Sequence, residues 1–448
     1  MSAADISMAG PGRPTKGQIT RRVRRQSRIG FAVLAAVMVY LAYAWVAFDV
    51  SGLIASARPE RAALLATDAV AHKVHVEKSL RFDEVEIAIE GERTATYKTP
   101  PDWVVLDGDR VLVDLQDGYA ATIEGRSVIF EAPGYGTVRV TATQDGVETE
   151  LPPGPQPDWI RATPAKFDAR PDLARRVQVS RAKIEIHRYF LGWENFFFPF
   201  DSPLSAMSFG EIVDLIGDDR RLDPDMSNAA LVFETFWENP DWQHGEVFVA
   251  LLETLLMAVL GTLTAAFVGL PLAFLAARNF TPSGTLRFFV RRLFDFLRGI
   301  DMLIWSLIFI RAFGLGPLTG ALAIAFTDTG TLGKLFSEAL ENIDGKQVEG
   351  VNATGASKLQ SYRFGVIPQI LPIFVSQGLY YLESNTRSAT VIGALGAGGI
   401  GLMLVETMRT SRDWENTLYI IILTVLLVIV MDSLSTLLRR RLIHGREG

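Results

Sequence analysis

The sequence has 448 residues, 49% of them hydrophobic and 21% charged, with no cysteine and a formal net charge of −6. That balance is too apolar for an ordinary soluble domain and too charged for a bare membrane bundle, so it predicts a membrane part joined to a soluble part. The negative charge argues against nucleic acid as a partner, and the missing cysteines exclude disulfides, thiolate zinc sites and a cysteine nucleophile.

Residues 1–28 read as a cytoplasmic basic tail, in which Arg13, Lys16, Arg21, Arg22, Arg24, Arg25 and Arg28 face only Asp5. The apolar run 29–48 that follows can span roughly 30 Å as a helix, one hydrocarbon core. Ala55-Ser56-Ala57 resembles a signal-peptidase site. The run is longer than a signal core of about 7–15 residues, so a retained first membrane helix is expected. The basic tail keeps the N-terminus on the cytoplasmic side.

A β-rich, sandwich-like insert and a proline-rich linker are expected over 49–172, outside the cytoplasm. From residue 73 the pattern becomes period two, as in Val85-Glu86-Ile87-Ala88-Ile89. Turn pairs recur at Asp107-Gly108, Asp117-Gly118, Glu124-Gly125, Pro133-Gly134 and Asp145-Gly146. Short strands separated by such turns suggest a small sandwich. Residues 151–171, with the run LPPGPQPDW, read as a stiff linker. Residues 173–245 read as an extracytoplasmic or interfacial segment. Its stretch 177–190 fits either a strand pair or a helix. The cluster Phe196-Phe197-Phe198-Pro199-Phe200 suits a buried core or a membrane surface equally. Two short helices, near 208–216 and 229–237, could lie along that surface.

Residues 246–448 read as a membrane domain, with spans expected at 247–277, 294–313, 318–336, 366–382 and 417–438. With the first helix that makes about six, and both termini are cytoplasmic. Arg278, Arg287, Arg291 and Arg292 form an expected basic cytoplasmic loop, and Arg439-Arg440-Arg441 an inner end. Asp295, Arg298 and Asp301 are spaced to pair on one helix face. Glu253 and Asp328 are ionisable groups in apolar runs, which usually face a cavity or a partner.

The stretch 338–365 is polar between apolar blocks and carries small residues among its charges. Gly355 can take positive φ and so divide two short helices. Gly350, Ala353 and Ala356 allow close approach of another surface. Glu349 and Lys358 offer charge, and Pro368 can open the next span where its missing N–H costs little. The stretch therefore reads as a docking loop for a partner protein. A second constellation is Asn385, Arg387, Ser388 and Thr390, a fork of donors suited to an oxyanion. Arg387 can instead pair with Glu383, four residues earlier. Gly396-Ala397-Gly398-Gly399-Ile400-Gly401 is a literal G-x-G-x-x-G, but its flanks are membrane spans and not a βαβ unit. Gly398 and Gly399 are better read as helix packing or a turn at a gate. His72 and His75 stand without further ligands, so no metal site is expected. No G-x-x-x-x-G-K-[ST] occurs, so the chain should not handle ATP by a P-loop, and no catalytic residues are expected.

The polar stretch, with Glu349 and Gly355 at its key positions and Pro368 opening the span after it, resembles the coupling loop of bacterial ABC importer permeases. VEGVNATGASKLQ and RFGVIPQILP, with ESNTRSATVIGALGAGGIG, GLGPLTG and TGTLGKLFSEALE, are similar to the phosphonate/phosphite-type permeases. Gly350, Val351, Gly365 and Ile367 depart from the general coupling pattern. The resemblance covers about 246–438 and leaves out the insert. It implies a mainly α membrane protein of the type I ABC importer permease fold, carrying an extra β-rich domain. It implies the permease subunit of an importer for phosphonates, phosphite or a phosphate ester in the bacterial inner membrane. Two permeases, as a homodimer or as a pair, would work with two ATPase subunits that hold ATP and magnesium, and with an extracytoplasmic binding protein, among membrane lipid. The alternatives are a permease for another small anion or an amino acid, or a membrane-anchored sensor.

Overall fold

The computed structural model describes residues 16–57, 59–410 and 413–444. The chain divides into two compact units, 1–64 and 65–448. The first holds α1 (Lys16–Ala47) and α2 (Val50–Ser56), and α3 (Pro59–Val70) runs across the boundary. Arg13 of the basic tail lies outside the described residues.

Among the described residues of the second unit, twelve strands build two six-stranded antiparallel sheets. The strands are β1 (Ala71–Ser79), β2 (Glu84–Ile89), β3 (Val104–Asp107), β4 (Arg110–Asp114), β5 (Ala120–Glu124), β6 (Ser127–Ala132), β7 (Gly136–Ala142), β8 (Val147–Glu150), β9 (Ile160–Ala162), β10 (Lys166–Ala169), β11 (Arg175–Ser180) and β12 (Lys183–Leu191). One sheet runs β2-β1-β12-β11-β10-β9, the other β3-β4-β5-β6-β7-β8. Alternation explains the packing. Val111 and Val113 of β4, Ile123 of β5, and Val128 and Phe130 of β6 point inward to meet Phe167, Ile184 and Ile186 from the other sheet in one core. The β3–β4 hairpin turns on Gly108, at φ +60°, where a side chain would be strained.

Two expectations change here. The proline-rich stretch 151–171 is no simple linker, because β9 and β10 lie within it and pair with each other. The stretch after residue 172 is no separate segment at first, because β11 and β12 complete the sheet and β12 pairs along its whole length with β1. Pro157, Pro164 and Pro171, which flank β9 and β10, hide the first fact from a periodicity reading.

Next come α4 (Phe209–Gly217), α5 (Asn228–Trp237), α6 (His244–Ala276), α7 (Gly284–Gly299), α8 (Met302–Phe313), α9 (Pro317–Glu341), α10 (Gly345–Ala353) and α11 (Lys358–Ser361). They are followed by α12 (Ile367–Ile392), α13 (Gly399–Thr410) and α14 (Trp414–His444). Among the described residues four helical stretches are long and apolar enough to cross a membrane: Ser27–Ala47, His244–Ala276, Lys358–Ala397 and Trp414–Leu442. The third includes α11 and α12, joined through a π turn at Tyr362–Val366. The expected span over 294–313 is broken. Asp301 accepts a hydrogen bond from the Leu303 amide (2.9 Å) and starts α8 afresh, leaving only 12 residues in that helix. Arg287, Arg291 and Arg292, expected in a loop, stand on α7, which Ser283 caps.

Helix α9 is the hub. It buries Thr319, Ala323, Thr327, Gly330 and Leu332 among others. Against it α6 lays a stripe of small side chains: Ala258, Gly261, Ala265, Gly269 and Ala273. A Cβ on Gly333 would run into the Phe294 ring of α7, and one on Gly261 would lie 2.7 Å from Ile324.

The sandwich is seated on the helix ends by Asp241. Its carboxylate accepts the Arg93 amide (2.6 Å), the Thr94 amide (3.0 Å) and the Thr94 hydroxyl (2.7 Å). Its carbonyl accepts Asn416 Nδ2 of α14 (2.9 Å). His244, the first residue of α6, reaches both the Tyr419 hydroxyl (2.8 Å) and the Phe196 carbonyl (2.7 Å).

Candidate functional site

The polar stretch lies at the opposite end of α6 from the sandwich. Its frame is set by Glu341 at the end of α9, whose carboxylate accepts the Arg278 amide and Arg291 Nη2, each at 2.7 Å. Asp344 caps α10 by accepting the Lys346 amide (2.9 Å), and its own amide donates to Gln369 Oε1 (2.8 Å). Gln369 Nε2 also donates to the Gly365 carbonyl (2.6 Å), so one side chain ties α10 to the root of α12. Gly365 is buried under α10, and a Cβ there would sit 3.3 Å from the Val348 Cα. The inner face of α10 is thereby fixed.

Its outer face is open. No residue of α10 is buried, and Glu349, Gly350 and Ala353 are exposed. Glu349 and Lys358 have no ion-pair partner among the described residues. Gly355 has φ +80°, and space around it is empty. Beyond it Ser357 and Gln360 make a reciprocal capping box that starts α11. The turn leaves a groove of about 820 Å³ lined by Gln347, Gly350, Val351, Gly355, Ala356 and Phe364. Leu359 and Phe364 project beside it, 77% and 62% exposed. The sequence reading passed over these two. Their signal was two large apolar residues inside an otherwise polar loop. Pro368 stands in the first turn of α12, after the π turn.

The second constellation comes apart. Arg387 is exposed and its Nη2 meets Glu383 Oε1 at 3.2 Å, one turn earlier. The hydroxyls of Ser388 and Thr390 donate back to the Ser384 and Thr386 carbonyls of their own helix, each at 3.3 Å. Only Asn385 is buried, and it has turned another way. Its Nδ2 donates to Thr262 Oγ1 of α6 (2.8 Å) and to Asp328 Oδ2 of α9 (2.6 Å). Three helices therefore meet at one buried polar knot, which the expected fork of oxyanion donors does not include. Thr262 carried no signal in the sequence beyond a hydroxyl in an apolar run.

Gly398 and Gly399 have φ +88° and +67° and turn the chain from α12 into α13. The Gly399 amide donates to Glu253 Oε2 (3.0 Å), and the Ile400 amide to Thr254 Oγ1 (2.9 Å). Glu253, an unexplained charge in the sequence, thus caps a neighbouring helix. Asp295 of α7 gathers Arg292, Arg298 and Lys334 at 3.1–3.4 Å. Asp301 is not part of that cluster.

The family described as binding-protein-dependent transport system inner membrane component matches residues 269–444. A phosphite transport system permease protein of Stutzerimonas stutzeri is 37% identical over 190 residues, 42% of this chain and 69% of the relative. The chain belongs to that family. A phosphate-import permease protein of Mycolicibacterium smegmatis is 38% identical over 192 residues, 43% of this chain but only 36% of the relative's length. A protein of Escherichia coli K12 that carries the name of a cryptic phosphonate transport system permease is 46% identical over 122 residues, 27% of this chain and 99% of its own. Among solved structures, an inward-facing methionine ABC transporter is 20% identical, covering 44% of this chain and 95% of its own, at a TM-score of 0.39. By its family this permease is a multi-pass membrane transport subunit and not an enzyme. The matched region is its helical part, and the sandwich lies before it.

Proposed function

We propose that this permease forms the membrane pathway of an ATP-driven importer for phosphonates or a related phosphorus oxyanion, such as phosphite or a phosphate ester. The relatives' names differ in the oxidation state and substituent of phosphorus but agree on an oxyanion of it. Energy enters at 349–358, where a separate ATPase docks. The observation that carries this is the exposed α10–α11 pair, fixed on its inner face by Gln369 and Gly365 and empty in its outer groove. A rigid lever with an open socket suits the transfer of a partner's motion to α9 and α12.

In this reading two permeases work with two ATPase subunits, which bind ATP and magnesium. The sandwich stands outside the cytoplasm, both termini lie inside, and a binding protein delivers the substrate. The Arg387–Glu383 pairing supports substrate selection by that binding protein, because Arg387 is already engaged. The turn gives the test. Substituting Gly355→Leu forces a side chain into φ +80° and fills the groove. In vesicles holding the complete transporter, the variant should keep ATP hydrolysis and lose phosphonate uptake at least tenfold. Unchanged uptake would rule out docking at this turn.

A further inference from the structure

A second open groove lies at the other end of α6. Helices α4 and α5 form a hairpin over the aromatic cluster and enclose an apolar space of about 820 Å³. The hairpin is well made. Ser208 and Glu211 cap α4 reciprocally, and Ser227 caps α5. Asn228 is buried in the turn, where its Nδ2 lies within 3.3 Å of the Leu215, Asp218 and Arg220 carbonyls and its Oδ1 accepts the Leu222 amide. Yet no residue of α4 is buried. Its apolar stripe, Phe209, Ile212, Val213 and Ile216, follows the helical repeat and lines the groove from one side. Phe209, Val213 and Phe233 of the lining are 83%, 53% and 60% exposed. A capped helix with a full apolar face left open by the described residues of its own unit needs an occupant.

The position of the groove identifies the occupant. Phe236, in its lining, stacks on His244 at 4.0 Å, and Trp237 meets Phe248 at 5.4 Å. The groove is therefore level with the first turns of α6. From the groove, Phe233 stacks on Trp237 at 5.5 Å and Trp237 meets Phe248, so its apolar surface runs onto the flank of that helix, where Phe248, Leu252 and Leu256 are exposed. At 33 residues α6 is about 50 Å long, against about 30 Å of hydrocarbon, so its first turns reach the headgroup region. The turn between α4 and α5 carries Asp218, Asp219, Arg220, Arg221, Asp223 and Asp225, a polar margin of the kind that faces water and headgroups.

We propose that this groove takes the acyl chain of a membrane phospholipid, so that the α4–α5 hairpin anchors the sandwich to the bilayer surface. Continuity with the flank of α6 favours lipid over a protein partner.

The natural absence of cysteine allows single reporters. Val213→Cys and Phe233→Cys place a bimane fluorophore in the groove. Leu256→Cys places it on the flank of α6, and Asp223→Cys on the polar turn. Each full chain is reconstituted into vesicles of phosphatidylglycerol and phosphatidylethanolamine, with plain or mid-chain-brominated acyl chains. Bromine should quench the two groove reporters at least half as strongly as the Leu256→Cys reporter, and the Asp223→Cys reporter far less. Quenching at either groove site no greater than at Asp223→Cys overturns the proposal, since water or protein then fills the groove. Two independent groove sites guard against one label disturbing the hairpin, and quenching at only one of them counts against an acyl chain.

Discussion

Asp328 of α9 is buried and accepts a hydrogen bond from Asn385 Nδ2, which also donates to Thr262 of α6. One amide therefore satisfies two acceptors that belong to two other helices. Removing it strands a carboxyl group in an apolar setting, which costs about 1–3 kcal/mol or more. Asn385→Ala should lower the thermal midpoint of the detergent-solubilised permease by several degrees. Replacing both partners, as in Asp328→Leu with Asn385→Leu, should cost less than Asn385→Ala alone, because no carboxyl group is then stranded and the Thr262 hydroxyl still donates to the Ala258 carbonyl. A double variant worse than the single would contradict this account of the knot. At this scale the sequence was legible only in part. Gly355 was read correctly because its work is local, and the caps made by Asp344 and Ser357, though passed over, also act on neighbours a few positions away. Asn385 was singled out for an oxyanion, yet its partners lie 57 and 123 positions distant, and nothing local announces them.

Among the elements, α9 shows how glycine spacing sets helix approach. Gly330 and Gly333 face α7, and their missing side chains are where Phe294 and the α7 backbone lie. Phe294 is itself buried, so it has no room to yield. Gly333→Ala should therefore destabilise the helical domain by about 1–3 kcal/mol, the usual cost of overpacking. Phe294→Leu in the same chain should restore part of the loss, and melting curves of the single and double variants would decide it. Equal midpoints for the wild type and Gly333→Ala would mean that α7 shifts freely. The strands with clean alternation and Asp-Gly or Glu-Gly turns were readable in the sequence, and β4 to β6 are the plainest. The break between α7 and α8 was not, because Gly299-Ile300-Asp301 interrupts an apolar run too briefly to alter its hydropathy. The cap made by Asp301 becomes visible only once the chain has turned there.

Over the whole molecule, the seat between the sandwich and the helix ends gathers acids. Burial pushes the Glu92 carboxyl up to about 9, a hydrogen bond from Asn195 opposes the shift, and nearby Asp241, Glu415 and Asp413 reinforce it. A carboxyl whose folded value lies above its ordinary 4.5 stabilises fully below that pH and loses its contribution as pH rises toward 9. Glu90 behaves in the opposite sense. Burial raises it, but the hydrogen bond and charge of His187 prevail with help from Lys73, and it falls to about 2. Its contribution is present above the ordinary 4.5 and lost as pH falls toward 2. Glu92→Gln keeps an acceptor for Asn195 and removes the charge. Its midpoint should match the wild type below pH 4.5 and exceed it by a margin that grows from pH 5 to pH 9. Identical midpoints at pH 8 would show that the seat is wet enough to hold the charge.

Asp241 bears on how such a protein could be rebuilt. Its carboxylate belongs to the sandwich side and its carbonyl to Asn416, 175 positions later in the chain. A transplant of residues 71–191 onto another permease would carry Arg93 and Thr94 but leave behind both Asp241 and Asn416. A working graft must carry the whole connector up to Asp241 and bring Asn416 with it into the recipient's last helix, so the module to be moved is discontinuous in sequence although it is compact in space.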